Sequence, residues 1–224
     1  MQIMSRLHDL WLKALRLGAV MTMLLVMAAL AGCATGNKIK PVSYGEGTSV
    51  SRLKDGRKGF VIKETPRMDA ASRKDFERAV ALMADGNYDQ AVELLKKVIA
   101  QAPGVTAPYI NIAMAYVRLD KLAEAEEHLK TALGLVPDHP LASNEYGLLL
   151  RKSGRFAEAR EIYENTLKTF PEYLPAHKNL GILCDLYLND QECALRQYEI
   201  YNQSMPDDTE VKMWLADLNM RLGN

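Results

Sequence analysis

Reactive side chains are scarce in this 224-residue chain, which holds three cysteines and four histidines. None of them falls into an HExxH pair or a paired-cysteine zinc spacing, and neither a Gly-x-Ser-x-Gly elbow nor a Walker loop occurs. Gly45-Glu46-Gly47 has no third glycine at the right spacing and no apolar strand before it, so a phosphate loop is not supported. No catalytic residue, metal site or bound cofactor is expected, and the chain does not read as an enzyme. Net charge is missing as well: 28 lysines and arginines balance 28 aspartates and glutamates, so nothing steers the molecule toward nucleic acid. A long apolar run is also lacking. The stretch Leu17 to Leu30 covers about 21 Å as a helix, short of a hydrocarbon core of roughly 30 Å.

That stretch instead has the three parts of an export signal: a basic start at Arg6, Lys13 and Arg16, an apolar middle, and small residues at the end. Its end, Leu30-Ala31-Gly32-Cys33, resembles the lipobox of bacterial lipoproteins. The resemblance implies that residues 1–32 are a signal peptide cut before Cys33, and that Cys33 carries covalent lipid and holds the protein to a membrane. An aspartate after the cysteine retains such proteins at the inner membrane. Ala34 stands there instead, which implies the periplasmic face of the outer membrane.

From Cys33 to residue 71 there is no sustained period of 2 or 3.6, and Gly, Ser, Lys, Thr and Pro recur. The segment reads as a flexible linker, mildly basic, with eight basic and four acidic side chains between residues 34 and 70. Some 37 such residues span roughly 30 to 36 Å. One apolar island, Gly59-Phe60-Val61-Ile62, is open between a strand, a segment docked on the body and a plain loop.

The body repeats. Pro103, Pro137, Pro171 and Pro206 lie 34, 34 and 35 residues apart, and Ala91, Ala125, Ala159 and Ala194 stand twelve residues before them. Small residues recur at Ala79, Ala113, Gly147 and Gly181. Large ones recur at Leu82, Tyr116, Leu150 and Cys184, and again at Leu95, Leu129, Tyr163 and Tyr198. Each unit reads as two helices whose small residues permit close approach while the large ones fill the surrounding space. Gly86 and Gly154 fall at the turn between helices, where positive φ costs glycine nothing. A unit of this size cannot bury its apolar face alone, so the units must stack.

These columns resemble the tetratricopeptide repeat (TPR), a 34-residue helix-turn-helix with small residues at positions 8 and 20 and proline at 32. The resemblance implies an all-α fold: a right-handed superhelix of four units, 72–105, 106–139, 140–173 and 174–208. Residues 209–224 would close it with a capping helix in which Trp214, Leu215 and Leu218 cover the last core. The first helices of such a stack line its concave face, with positions 2, 5, 9, 12 and 13 turned inward. Carried over, the groove contains Phe76 and Val80 in the first repeat, and Ile110, Met114 and Val117 in the second. Asn144, Leu148 and Arg151 follow in the third, Lys178 and Ile182 in the fourth, and Met213 in the cap. It reads as apolar early and polar late, a surface for an extended or helical peptide. Cys184 and Cys193 flank the turn that holds the extra residue of the fourth repeat. In an oxidising compartment they form either a disulfide or two buried thiols.

The expected function is a membrane-anchored scaffold that binds a partner protein or peptide in its groove, similar to the TPR lipoproteins that act as pilotins of type IV pilus systems. Service to TonB-linked transport, polysaccharide export or control of cell-wall enzymes is the alternative. So is a peptidoglycan-binding or anionic-lipid-binding tail using Lys38, Lys40, Arg52, Lys54, Arg57 and Lys58.

Overall fold

The computed structural model describes residues 49–52, 60–63 and 67–223. The export segment, its cleavage point and the lipid site Cys33 lie outside the described residues. No helix among the described residues is long and apolar enough to cross a membrane.

The linker holds more regular structure than its composition suggests. β1 (Ser49–Arg52) and β2 (Phe60–Lys63) pair antiparallel, Val50 opposite Ile62 and Ser51 opposite Val61. Residues Phe60 to Ile62 of the apolar island thus lie in a strand, paired with Ser49–Arg52 of the linker itself. The helical body also begins earlier than residue 72. α1 (Ala70–Ala84) starts where the Asp69 carboxylate accepts from the Ser72 amide at 2.7 Å, a cap that satisfies an otherwise orphaned donor.

Eight further helices follow: α2 (Tyr88–Gln101), α3 (Thr106–Arg118), α4 (Leu122–Leu135), α5 (Pro140–Lys152), α6 (Phe156–Thr169), α7 (Leu174–Leu186), α8 (Gln191–Ser204) and α9 (Thr209–Leu222). Each repeat proline, which cannot continue a helix, stands two residues beyond the end of α2, α4, α6 or α8. The small columns are fully buried at Ala79, Ala113, Ala91, Ala125, Ala159 and Ala194. One apolar core runs from Ala79 through every repeat to Leu218 of α9, with Trp214 and Leu215 packed against it.

The turns inside the repeats share one conformation. Gly86, Asp120, Gly154 and Asn189 are all left-handed, at φ 79°, 60°, 74° and 52°. In the first three repeats the amide after this residue donates back across five positions, Asn87 to Leu82 O, Lys121 to Tyr116 O and Arg155 to Leu150 O, at 2.8 to 2.9 Å. In the fourth, Asp190 reaches Cys184 O across six. The extra residue therefore sits in the α7–α8 turn, and a disulfide between Cys184 and Cys193 spans it with α-carbons 5.9 Å apart.

Successive repeats are clamped by polar groups. Glu126 on α4 accepts from Arg155 at 2.9 Å, from Tyr146 of α5 at 3.0 Å and from Lys130 at 2.7 Å. Arg160 reaches Asp190 at 2.9 Å, and Asn179 donates to Asn144 at 2.9 Å. The packing is asymmetric. First helices bring their backbones close to the next first helix, α1 to α3, α3 to α5 and α5 to α7, whereas second helices among those described meet one another through side chains such as Arg160 and Asp190. The first-helix side is thus the crowded, inner side of the stack.

Candidate protein-interaction site

On that inner side α3 and α5 lie next to one another, and the side chains they direct away from the core leave a cleft of ≈ 410 Å³. Met114, Val117 and Leu148, all half-buried, give it an apolar floor. Arg118, Arg151 and Lys152 make its basic end, and Tyr187 closes it from the end of α7. Four of the expected groove residues, Met114, Val117, Leu148 and Arg151, meet here.

The charges in the cleft are not equally free. Lys152 pairs with Asp120 at 2.9 Å and donates to Val117 O at 3.3 Å. Burial pushes the Glu145 carboxyl up from its ordinary value, opposed by a hydrogen bond from Asn144 and by the Arg118 charge. The Arg151 guanidinium lies 5.9 Å over the Tyr187 ring, whose other neighbour is Phe156 at 4.8 Å. Its Nη1 is buried and has no hydrogen-bond partner among the described residues.

Two of the other expected groove residues need correction, and Lys178 is already engaged within the chain. Ile110 and Asn144 are 1% and 4% exposed, so neither can be offered to a partner. Ile110 packs with Tyr109, Ala132, Leu135 and Ala142, and Asn144 spends its amide on Glu145 and Asn179. Lys178 is tied to Asp208 at 3.0 Å and Glu210 at 3.1 Å and lies 5.2 Å over Trp214; it fastens the cap to the fourth repeat. Phe76 and Ile182 are half-buried against the core, while Val80 is 40% and Met213 64% exposed. At the late end Leu186, Tyr187, Met213 and Met220 are exposed apolar residues.

Arg118 and Lys152 were legible in principle, standing at repeat position 13 on α3 and α5. Tyr187 was not: it belongs to the lengthened α7–α8 turn, where repeat numbering loses its register. A second hollow, ≈ 490 Å³, lies further along the same side between Arg73, Ala107, Asn111 and Leu141.

The described histidines have structural work. His139 caps α5, its Nδ1 accepting from the Ala142 amide at 3.2 Å. His128 stacks on Tyr116 at 5.6 Å, and burial holds its pKa below the ordinary value. His177 is buried with both ring nitrogens engaged, by Gln197 at 2.7 Å and Pro171 O at 2.8 Å. Cys184, Cys193 and Asp190 bring three ligand atoms within 4.8 Å. There the sulfurs are joined to each other, and Asp190 serves the Cys193 amide and Arg160.

Tetratricopeptide-repeat family models match residues 82–144 and 145–173. Among curated proteins, uncharacterized protein y4yS of Sinorhizobium fredii is 29% identical over 171 residues, covering 76% of this chain and 85% of that one. Human protein O-mannosyl-transferase TMTC2 is 35% identical over 89 residues, and yeast anaphase-promoting complex subunit CDC16 is 23% identical over 158. The match spans only 11% and 19% of those two proteins. Solved structures share the fold at low identity. Pseudomonas aeruginosa pilF superposes with a TM-score of 0.64 at 21% identity, over 69% of this chain and 70% of that one. MamA from Desulfovibrio magneticus RS-1 gives 0.60 at 19%, over 70% and 88%. Matched residues, repeat columns and helix pairs coincide over residues 82–173, and that stretch is built of tetratricopeptide repeats.

Proposed function

We propose that this protein is a lipid-anchored scaffold on the periplasmic face of the outer membrane, holding a partner protein on its first-helix side during assembly of an envelope machine such as a pilus secretin. Tetratricopeptide repeats are generally protein-binding scaffolds, and that much holds for the fold itself. The observation that carries a partner site here is the cleft between α3 and α5, where Met114, Val117 and Leu148 form an apolar floor that the stack's own core does not cover. The anchor rests on Leu30-Ala31-Gly32-Cys33 and on Ala34 after it. The pilus connection rests on resemblance to pilotin lipoproteins, with the fold likeness to pilF beside it.

Crosslinking in the cell envelope followed by mass spectrometry tests the scaffold. Met114→Glu combined with Leu148→Glu should remove a specific partner while helicity and melting temperature stay unchanged. An intact fold with every partner retained ends the groove reading. For the anchor, Cys33→Ser should release the protein from membranes into the soluble periplasm, and membrane retention of that variant argues against it.

A further inference from the structure

The cleft has two chemically different ends, and the difference points to a ligand. Its apolar floor asks only for hydrophobic contact. Its other end holds a cation whose needs the protein leaves unmet. Arg151 Nη1 is buried without a hydrogen-bond partner, and the hydroxyl of Tyr163 on α6, whose ring packs against Gly147 one turn before Arg151 on α5, is buried and unpaired as well. A buried guanidinium nitrogen without an acceptor is costly, because desolvation removes water and nothing replaces it.

No carboxylate among the described residues is placed to answer it. Asp120 is bound by Lys152 at 2.9 Å. Asp185 is bound by Arg221 at 2.7 Å. Glu145 accepts from Asn144 and faces the charge of Arg118, while burial raises its pKa. With Lys152 paired to Asp120, the lining carries Arg118 and Arg151 against Glu145, one positive charge in excess in a partly enclosed space. Arg151 lies 5.9 Å over the Tyr187 ring, a contact that limits the freedom of the guanidinium before an anion arrives.

We propose that the Arg151 end of this cleft is a carboxylate site. It takes an aspartate or glutamate of a partner segment, and an apolar side chain next to that acid lies on Met114, Val117 and Leu148. Guanidinium and carboxylate match in plane and donor spacing, and one guanidinium nitrogen here has no acceptor of its own. The inference rests on the scaffold reading and deepens it by naming what the partner must present.

The test uses the full chain in detergent and three arrayed peptides built on a Leu-X-Leu core, with X as aspartate, asparagine or lysine. The aspartate peptide should bind about tenfold or more tighter than the asparagine one, the scale of a charge-assisted hydrogen bond, and the margin should shrink in high salt. Arg151→Gln should bring the two peptides to equal affinity with no change in melting temperature, and Arg151→Lys should keep part of the preference. An aspartate preference that survives in Arg151→Gln overturns the proposal. So does a wild-type protein that binds the three peptides alike or none of them. In either of those last cases, envelope crosslinks that still vanish on Met114→Glu plus Leu148→Glu leave the scaffold standing and remove only the carboxylate site.

Discussion

Gly147 and Tyr163 are one packing unit: a Cβ on Gly147 would stand 2.5 Å from Tyr163 Cε1 and 2.6 Å from Cζ. Gly181 and Tyr198 repeat the arrangement, at 2.5 Å to Cε1 and 2.6 Å to Cδ1. The first two repeats fill the same two columns with Ala79 and Leu95, and with Ala113 and Leu129, all buried. The small column and the large column are therefore exchanged together, glycine with tyrosine and alanine with leucine.

Gly147→Ala should destabilise the protein by about 1 to 3 kcal/mol by overpacking, although alanine is the better helix former by about 1 kcal/mol. Gly134→Ala, in α4 where nothing lies within 4 Å of an added Cβ, should stabilise by about 0.5 to 1 kcal/mol. Adding Tyr163→Leu to Gly147→Ala should recover part of the loss. Urea unfolding of the single and double variants measures the coupling, and additive effects would show that the two positions do not share space.

Ile110→Glu and Met114→Glu separate core from surface on one helix face. Ile110 is 1% exposed, and a carboxylate there should cost about 3 kcal/mol or more and lower the melting temperature steeply. Met114, half-buried on the cleft floor, should tolerate the change with little loss of stability. Thermal melts by circular dichroism distinguish the two; equal losses would place Met114 in the core.

The clamp around Glu126 predicts a pH dependence. Hydrogen bonds first from Lys130 and then from Arg155, with Tyr146 adding less, outweigh burial and bring its pKa from 4.5 down to about 2. A carboxylate depressed in the folded state contributes stability above its unfolded pKa and loses it as pH falls through the folded one. Between pH about 4.5 and about 2 the wild type should thus lose stability that Glu126→Gln never had, and the two melting curves should converge at the acid end. A Glu126 carboxyl that titrates near its ordinary value by NMR would refute the clamp.

Reducing the Cys184–Cys193 bridge with a dithiol should lower stability by about 2 to 3 kcal/mol, the scale for a loop closed by a nine-residue separation. The readout is the urea midpoint with and without reductant, together with thiol counts on the denatured chain. An unchanged midpoint in a protein purified from the periplasm would mean that the fourth repeat does not depend on the bond.

The helix pairs were legible because proline, small and large columns each answer a separate steric demand and recur in phase. The turn column was only half legible. Gly86 and Gly154 announce positive φ, but Asp120 and Asn189 meet the same demand as residues that also occur at caps and surfaces, so only the backbone shows all four to be equivalent. The groove was harder for a different reason. Repeat position fixes the direction of a side chain but not what else comes to meet it. Lys178 points inward as expected and is then captured by Asp208 and Glu210, thirty and thirty-two residues later. Ile110 and Asn144 share its position 5 and are buried, Ile110 among Ala132 and Leu135 of α4 and Ala142 of α5, Asn144 beside Asn179 of α7, contacts that repeat position alone does not specify.

The two ends of the stack are mechanically unlike. α1 buries only Ser72 and Ala79, while the far end is held by a covalent bridge, the Lys178 tie and the closing helix α9. Under a pull or a rise in temperature α1 is expected to open before the fourth repeat. If a tether runs from Cys33 to α1, the load from the membrane arrives at the soft end, which yields like a fuse while the cleft between α3 and α5 keeps its grip.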